Sequence, residues 1–412
     1  MRNRRHICTA VLAMSMLLLM LMSGCTVSLD FSFGGFSSPK PEGSSLFGNT
    51  SYPDWEENSL DNSDYLSSLD KKFTYYPTSA KNKLYRDEQE LYQRILARIE
   101  NDQFTFRFED ISNDTFKAAY YAVLDDHPEY FWLSKSYSYG EYRQGTQSVL
   151  KVEPSLFSDD TATIHQAAKD LEKAVKNIVA GAEQQENLFY KVKYVHDYII
   201  DHTVYDTESM EQVFDAGESI QLHAATAYGC LVEHKAICSG YAAAFQLVMQ
   251  RLGIECGRVN GMKRSETAES HQWNYVCLDN EYYYLDATWD DPVRPDGVQT
   301  RTYEYFLLSD DDLAYTHTID EDQNVPVCSG TKYNFYVYNG LYFITYDFDK
   351  IRTVADKMAA DNSLTVKFSV PEVLSAAQND LIDNQRIFSI GYITGHITYS
   401  VSSSGCILTI NY

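Results

Sequence analysis

The sequence predicts an α+β protein in which helices and antiparallel hairpins share one chain. Apolar residues recur at helical spacing over 241–252, and Gly253 follows at a point where helices commonly end. Two strand-like runs, 271–278 and 281–288, flank Asp279-Asn280, whose residues tolerate the left-handed backbone of a tight turn. Hydrophobic residues make up 44% of the 412 positions, which is enough apolar material for the cores of two or three domains.

Residues 1–24 have the pattern of a secretory signal peptide. Three arginines among the first five residues precede an apolar stretch, 10–22, that is too short at 1.5 Å per residue to cross a roughly 30 Å hydrocarbon core. Leu21-Met22-Ser23-Gly24-Cys25 resembles a bacterial lipobox, which implies cleavage before Cys25 and lipidation of its thiol. We therefore expect a protein held by lipid on the extracytoplasmic face of the cell membrane. A free secreted product is the alternative.

Four further segments follow the signal peptide. Residues 25–69 predict a flexible tether, because twelve of the 25 residues from 26 to 50 are Ser, Gly or Pro. Residues 70–160 predict a small N-terminal α/β domain, and residues 161–325 predict the catalytic domain. Residues 326–412 predict a C-terminal α+β domain.

The chain is strongly acidic, which limits its partners. It has 58 acidic residues against 34 basic ones, a formal net charge of −24. A surface of this charge repels phosphate backbones, which disfavours nucleic-acid binding, and we expect no nucleic acid as a partner. The sequence has no glycine-rich phosphate loop and no zinc motif, and we expect neither a metal nor a cofactor.

The remaining elements are predicted from apolar periodicity and from turn residues. Helical spacing predicts helices near residues 84–99, 113–125, 161–181 and 186–202. Between the first two, Phe104, Phe106 and Phe108 alternate like a half-buried strand. In the C-terminal segment, Asn339-Gly340 lies between two apolar runs and predicts a type I′ hairpin. A second hairpin is predicted around 402–405.

Cys238 precedes the helix over 241–252 and therefore lies in its first turn. Unsatisfied backbone N–H groups and the positive end of the helix dipole favour negative charge at that place. The thiolate is the nucleophilic form of cysteine, so Cys238 is the candidate nucleophile. A cysteine placed for packing alone lies more often further along the apolar face.

The hairpin around Asp279-Asn280 brings a histidine next to an aspartate. With a two-residue turn, Asp286 lies opposite Trp273, two positions along the strand from His271. His271 and Asp286 then share a face as diagonal neighbours, within reach of an imidazole–carboxylate hydrogen bond. A change of one residue in the turn would put them on opposite faces of the sheet.

Three sequence blocks around these residues resemble the transglutaminase-like superfamily. The blocks are Ala227-Tyr228-Gly229 with Ala236-Ile237-Cys238-Ser239-Gly240-Tyr241, then His271-Gln272-Trp273-Asn274, then Tyr284-Leu285-Asp286-Ala287-Thr288-Trp289. With Tyr205-Asp206, the resemblance covers about a quarter of the chain. It implies a papain-like core, in which a nucleophile helix packs on an antiparallel sheet, and a Cys-His-Asp triad of Cys238, His271 and Asp286. It implies no single reaction, because relatives include crosslinkers, peptidases, amidases and inactive members.

Two residues depart from the family pattern. Cys230 stands where alanine is common, and His234 stands where a small residue such as glycine is common. Cys230, His234 and Cys238 are spaced by four, which on one helix could chelate a metal. The helix-start position of Cys238 favours catalysis over that metal site.

The other cysteines leave disulfide pairing open. Cys256 and Cys277 fall on adjacent predicted strands, where either a disulfide or two buried thiols would fit. Cys328 and Cys406 are equally undecided, because spacing alone does not determine which cysteines pair.

Four further residues have candidate roles. Tyr205 and Trp273 are the candidate substrate-binding residues. The family often has an aromatic residue at the position of Tyr205 that can support an oxyanion, with packing at a helix end as the alternative. Trp273 is expected to line either the cleft or the core. His196 is interpreted as an ordinary helix-surface or capping residue. Asp310 could bind calcium with its acidic neighbours, but the sequence there favours a helix N-cap.

Together these residues predict a thiol enzyme that acts on protein or peptide amide bonds. Cys238 would attack the carbonyl to form a thioester, His271 would transfer the proton, and Asp286 would orient the imidazole. The acyl group would pass to water in hydrolysis or to an amine in crosslinking. Cell-wall peptides are one source of such amides. A non-catalytic surface scaffold with the same fold is the alternative function.

Overall fold

The computed structural model describes residues 27–30, 40, 45–47, 52, 74–210, 223–264, 269–292, 301–321 and 323–412. The predicted signal peptide, Cys25 and most of the tether over 25–69 lie outside these residues. Helices and strands within the described ranges confirm the α+β class. In the same ranges, no helix combines the length and the apolar character that crossing a membrane requires.

The secondary structure of the described residues is as follows. The helices are α1 (Arg86–Ile99), α2 (Asn113–Asp126), α3 (Thr161–Glu183), α4 (Leu188–His202), α5 (Ala227–Leu231), α6 (Cys238–Arg251), α7 (Asp310–Leu313), α8 (Phe335–Tyr338), α9 (Phe348–Lys357) and α10 (Pro371–Gln378). The strands are β1 (Val27–Asp30), β2 (Phe106–Glu109), β3 (Leu133–Gln144), β4 (Gln147–Leu156), β5 (Val204–Tyr205), β6 (Lys235–Ala236), β7 (Cys256–Lys263), β8 (Glu269–Leu278), β9 (Glu281–Leu285), β10 (Phe306–Leu308), β11 (His317–Ile319), β12 (Tyr342–Phe343), β13 (Ser363–Phe368), β14 (His396–Ser402) and β15 (Ile407–Asn411). Short 3-10 turns and one π turn cover Ala80–Lys83, His223–Ala225, Ala359–Asp361, Arg386–Ser389 and Asn379–Asp383.

The chain divides into two compact units. The C-terminal unit contains residues 1–49, 290–307 and 330–412, and the site unit contains residues 50–289 and 308–329. The segments 70–160 and 161–289 therefore belong to one unit. Polar contacts join them: the Gln246 side chain donates to the Asp125 carbonyl at 2.9 Å, and Arg258 donates to the Leu124 carbonyl at 2.8 Å.

The N-terminal part of the site unit packs two helices against a three-stranded sheet. The strands lie in the order β2-β4-β3, and each pair is antiparallel. Phe106 and Phe108 are buried while Arg107 and Glu109 are exposed, as the predicted alternation requires. The helices α1 and α2 contact each other, and α1 buries one face, whose residues are Leu91, Tyr92, Ile95 and Ile99.

The second part of the site unit packs α6 on an antiparallel sheet. Strands β9, β8, β7 and β11 lie side by side in that order, each antiparallel to its neighbour. Every residue of α6 from 240 to 249 is buried, which is typical of a helix enclosed on all sides. Helix α6 contacts β7 and β8 on one side and α3, α4 and α5 on others.

The C-terminal unit has a sheet of strand order β1-β14-β15-β13-β12. Strands β14 and β15 form an antiparallel hairpin, which confirms the prediction around 402–405.

The hairpin predicted at Asn339-Gly340 is wrong. The Asn334 side chain accepts the Tyr336 N–H and begins α8, and Asn339 ends that helix with an ordinary φ of −87°. A type I′ turn requires positive φ at both central residues, and here only Gly340 has it, at +72°.

Candidate functional site

Cys238 is the first residue of α6, as predicted, and it is 7% exposed. The preceding Ile237 donates its N–H to the Ala224 carbonyl at 2.9 Å, which ties the start of the helix to the 3-10 turn before it. A Cβ on Gly240 would lie 2.3 Å from that same carbonyl oxygen. Only glycine permits this approach, so the start of α6 can pack closely against the 3-10 turn.

Tyr205 lies beside the segment that leads into α6. Strands β5 and β6 pair in parallel, with Tyr205 opposite Ala236, and the Asp206 N–H donates to the Ala236 carbonyl at 2.8 Å. Burial raises the pKa of the Tyr205 hydroxyl, and the neighbouring Cys238 raises it further. The hydroxyl therefore keeps its proton, as a donor to an oxyanion must.

The hairpin of β8 and β9 has the predicted register. Leu278 pairs with Glu281, and φ is +51° at Asp279 and +65° at Asn280, so both turn residues are left-handed. This register places His271 Nε2 2.6 Å from Asp286 Oδ2, and both side chains are buried. The predicted imidazole–carboxylate hydrogen bond is present.

Asp286 is held as an anion. Its Oδ1 accepts the backbone N–H groups of Thr288 at 3.0 Å and Trp289 at 3.2 Å. Burial raises the pKa of Asp286, but the charge and hydrogen bond of His271 outweigh burial and hold it well below the ordinary carboxyl value. Burial lowers the pKa of His271, but Asp286 and Cys238 raise it to about 10. At neutral pH the pair is an imidazolium and a carboxylate.

The structure brings Cys238, His271 and Asp286 together. His271 Nε2 hydrogen-bonds Asp286, and Cys238 lies close enough to His271 to raise the pKa of the imidazole. Because Nε2 of His271 is engaged by Asp286, Nδ1 is the nitrogen left to exchange a proton with the thiol. This arrangement can exchange a proton between sulfur and imidazole while the carboxylate fixes the ring.

Asn274 and Trp273, which follow His271 on β8, contact other parts of the site. The Asn274 amide donates to the carbonyls of Ala242 at 2.9 Å and Gly257 at 3.2 Å, so it connects β8 to α6. Trp273 stacks on His271, with ring centroids 5.8 Å apart and an interplanar angle of 21°. At 1% exposure, Trp273 is a buried core residue next to the imidazole.

The structure adds a residue that sequence reasoning missed, His317 on β11. Its Nε2 lies 3.2 Å from Asp286 Oδ2, and the residue is 2% exposed. Burial lowers the pKa of His317 and Asp286 offsets this only in part, so the ring is neutral at pH 7. His317 lies outside the three sequence blocks, and the short run His317–Ile319 has no pattern that would have marked it.

Metal ligation has one geometric candidate among the described residues. One ligand atom each of His271, Asp286 and His317 lie within 4.8 Å of one another. The alternative set of Cys230, His234 and Cys238 does not lie on one helix, because α5 ends at Leu231 and α6 begins at Cys238. His234 has φ +57°, in the left-handed region that favours glycine. That backbone explains why a small residue is common at its position in the family.

Two other predictions have clear outcomes. The N-cap prediction is confirmed, because the Ser309 hydroxyl accepts the Asp312 N–H at the start of α7. The surface assignment of His196 is wrong: this residue is fully buried, and its Nδ1 lies 3.1 Å from Asp197, which also accepts from Lys193 at 2.6 Å. Helix α4 packs against α3 and α6, so His196 and Asp197 lie on its buried side.

The disulfide left open for Cys256 and Cys277 is not formed. Both residues are free thiols on neighbouring strands. Strand β7 pairs Cys256 with Val276, so the side chain of Cys277 projects from the opposite face of the sheet. Cys328 is also a free thiol.

Comparison with known proteins gives the same family that the motifs suggest. Residues 172–287 match the model of the transglutaminase-like superfamily. The kyphoscoliosis peptidase of Mus musculus is 26% identical over 136 residues, which are 31% of this chain and 19% of the mouse protein. The chain thus spans about a fifth of the length of that relative.

Solved structures with detectable similarity include two with related descriptions. A TGase structure is 14% identical with a TM-score of 0.28, over 46% of this chain and 52% of the other. A candidate cysteine protease from Cytophaga hutchinsonii is 13% identical with a TM-score of 0.25, over 48% of this chain and 81% of the other.

Proposed function

Residues 172–287 form a transglutaminase-like core domain, and from this premise we propose that the chain is a thiol enzyme acting on protein or peptide amide bonds. Its catalytic residues are Cys238, His271 and Asp286. One observation carries the proposal: three separate places in the fold bring their side chains together. The start of α6 contributes the Cys238 thiol, β8 contributes the His271 imidazolium, and the end of β9 is followed by the Asp286 carboxylate. A purely structural ion pair needs neither the thiol nor the helix start.

The reaction follows from the placement of these three groups. The Cys238 thiolate attacks the carbonyl carbon, a C–S bond forms, and the carbonyl electron pair moves onto oxygen. The Cys238 backbone N–H and the Tyr205 hydroxyl donate to that oxyanion. His271 gives its proton to the leaving nitrogen, the C–N bond breaks, and a thioester remains. Neutral His271 then takes a proton from water or an amine, which attacks the thioester and releases the thiolate.

The test measures acyl transfer directly. The purified chain is incubated with a glutamine-containing peptide and a fluorescent primary amine, and both intact mass and ammonia release are followed. We expect a thioester adduct that Cys238→Ser abolishes and Cys256→Ser, in a buried thiol outside the triad, preserves. Amine incorporation identifies crosslinking, and ammonia release without incorporation identifies hydrolysis. A folded wild-type chain that forms no adduct with any acyl donor would establish the non-catalytic scaffold instead.

We also propose that the lipidated Cys25 holds this enzyme on the extracytoplasmic face of the cell membrane. Surface proteins and cell-wall peptides would supply amides at that location. The Cys25→Ala variant should move from the membrane fraction to the soluble fraction, whereas Cys8→Ala, within the cleaved signal, should not move. If Cys25→Ala remains membrane-bound with the mass of the wild type, the anchor lies elsewhere.

A further inference from the structure

We propose that His317 is a positioning residue for this reaction: it gives Asp286 a second imidazole contact beside that of His271, so that the carboxylate keeps its orientation while His271 changes charge. The inference rests on the proposed function. His317 lies on β11, beyond the 172–287 match, so the family resemblance assigns it no role.

The Asp286 carboxylate is surrounded by four donors. Its Oδ2 faces His271 Nε2 at 2.6 Å and His317 Nε2 at 3.2 Å. Its Oδ1 accepts the two backbone N–H groups of Thr288 and Trp289. Each oxygen therefore has two donors, which is the full capacity of an ionised carboxylate. Rotation of the carboxylate breaks at least one of these contacts.

The neighbours of His317 determine which of its nitrogens carries the hydrogen. Ionised Asp286 only accepts, so Nε2 of His317 is the donor, and Nδ1 accepts from the Thr316 hydroxyl at 2.8 Å. The neutral ring gives Asp286 a hydrogen bond without placing a second positive charge beside His271. A charged His317 would compete with His271 for the same carboxylate oxygen.

The sheet is built so that His317 can reach across β7. Strand β7 lies between β8 and β11, with Gly261 directly opposite His271. A Cβ at Gly261 would lie 2.0 Å from the Thr318 carbonyl oxygen and 2.6 Å from the Trp273 ring. The absent side chain leaves room for the His317 and Trp273 rings to contact, with centroids 4.8 Å apart. This close packing brings β11 near enough for His317 to contact Asp286.

The experiment separates positioning from simple packing. His317→Leu keeps most of the volume but removes the donor, whereas His317→Gln offers an amide N–H near the place of Nε2. Ile95→Ala, in the buried face of α1, controls for a general loss of stability. The burst and the steady-state release of p-nitrophenol from p-nitrophenyl acetate are measured for each variant, together with its melting temperature.

We expect His317→Leu to lower steady-state turnover about tenfold with an unchanged KM, and His317→Gln to recover it to within about threefold. Ile95→Ala should keep wild-type turnover per folded molecule. Wild-type turnover in His317→Leu would overturn the inference, as would equal losses in His317→Leu and Ile95→Ala. If His317→Leu does not fold, Thr316→Val replaces it, because it removes the donor that fixes the His317 tautomer and should slow turnover about threefold. A wild-type chain that releases no p-nitrophenol and forms no acyl adduct would overturn the proposed function itself.

Discussion

The turns at Asp279-Asn280 and Asn339-Gly340 are built from similar residues and have different roles. At the first turn both residues are left-handed, with φ of +51° and +65°, and two antiparallel strands continue from it. At the second turn Asn339 is helical and only Gly340 is left-handed, so the pair ends the helix α8. The first turn sets the register of His271 and Asp286, whereas the second one ends a four-residue helix in the C-terminal unit.

The surroundings of each turn account for the difference. Strand β8 already has β7 as a partner on its other side, so a return strand completes its pairing. The segment before Asn339 instead begins with Asn334, whose side chain caps a helix and lets Phe335 be buried. Whether a two-residue turn sequence forms a hairpin therefore depends on whether its flanking residues have strand partners.

The largest effect is expected from changing the length of the first turn. A glycine inserted between Asp279 and Asn280 shifts the register by one residue and moves Asp286 away from the His271 face. Turnover should fall at least about 10²-fold, measured by p-nitrophenol release. The matched insertion between Asn339 and Gly340 should leave turnover per folded molecule unchanged. Equal losses in both variants would show that the first turn has no special link to the triad.

The next effect concerns the carboxylate that this turn aligns. Asp286→Asn should preserve the fold but lower turnover about 10²-fold or more, because the imidazole loses its orientation and its counter-charge. Turnover and the thermal midpoint are measured together. Trp273→Phe, next to the same imidazole, should cost much less. Unaltered turnover in Asp286→Asn would show that Asp286 has no part in catalysis.

Labelling of Cys238 tests the charge on His271. At about pH 6 an ordinary cysteine, with a pKa near 8.5, alkylates slowly, whereas a cysteine beside a positive charge reacts faster. Iodoacetamide should therefore label Cys238 before Cys256 and Cys328. His271→Ala should slow this labelling about tenfold or more near pH 6 and change it little near pH 9. Labelling that ignores His271 at both pH values would exclude the ion pair.

The same pair predicts how stability depends on pH. The pKa of His271 is raised in the folded state to about 10, so its stabilising effect is complete below its ordinary value near 6.5 and is lost as the pH rises through about 10. The difference in free energy of unfolding between wild type and His271→Ala should therefore shrink over this interval. Urea denaturation at several pH values measures it. A difference that grows with pH would mean that His271 is neutral in the folded protein.

The smallest effects sharpen the contrast between the two turns. Asn280→Gly removes a side chain from a left-handed position and should raise stability by up to about 1 kcal/mol. Gly340→Ala adds a side chain at φ +72° and should lower stability by about 1 kcal/mol. Thermal midpoints measure both changes, and neither variant should alter Cys238 labelling. Slower labelling in Gly340→Ala would connect the second turn to the site.

Sequence reasoning was strongest where the governing interactions are short in range. The start of α6 at Cys238 follows from helix periodicity, and the His271–Asp286 pair follows from the register of a two-residue turn. These interactions involve neighbours along one helix or across one hairpin, so residue spacing is sufficient to predict them. The same reasoning failed at Asn339-Gly340, where a helix cap five residues earlier competes with the turn.

Tertiary packing decided what spacing alone could not. His196 is buried because helices from other parts of the chain cover α4, and its own neighbours in sequence do not show this. His317 reaches Asp286 because β11 pairs with β7 beside a glycine, a contact between residues 31 positions apart. By itself the sequence determined the α+β class, the nucleophile helix and the histidine–aspartate hairpin, since those depend on local backbone geometry. The second imidazole on Asp286 depended on which strand lies next to β7, and that is determined by burial across the whole sheet.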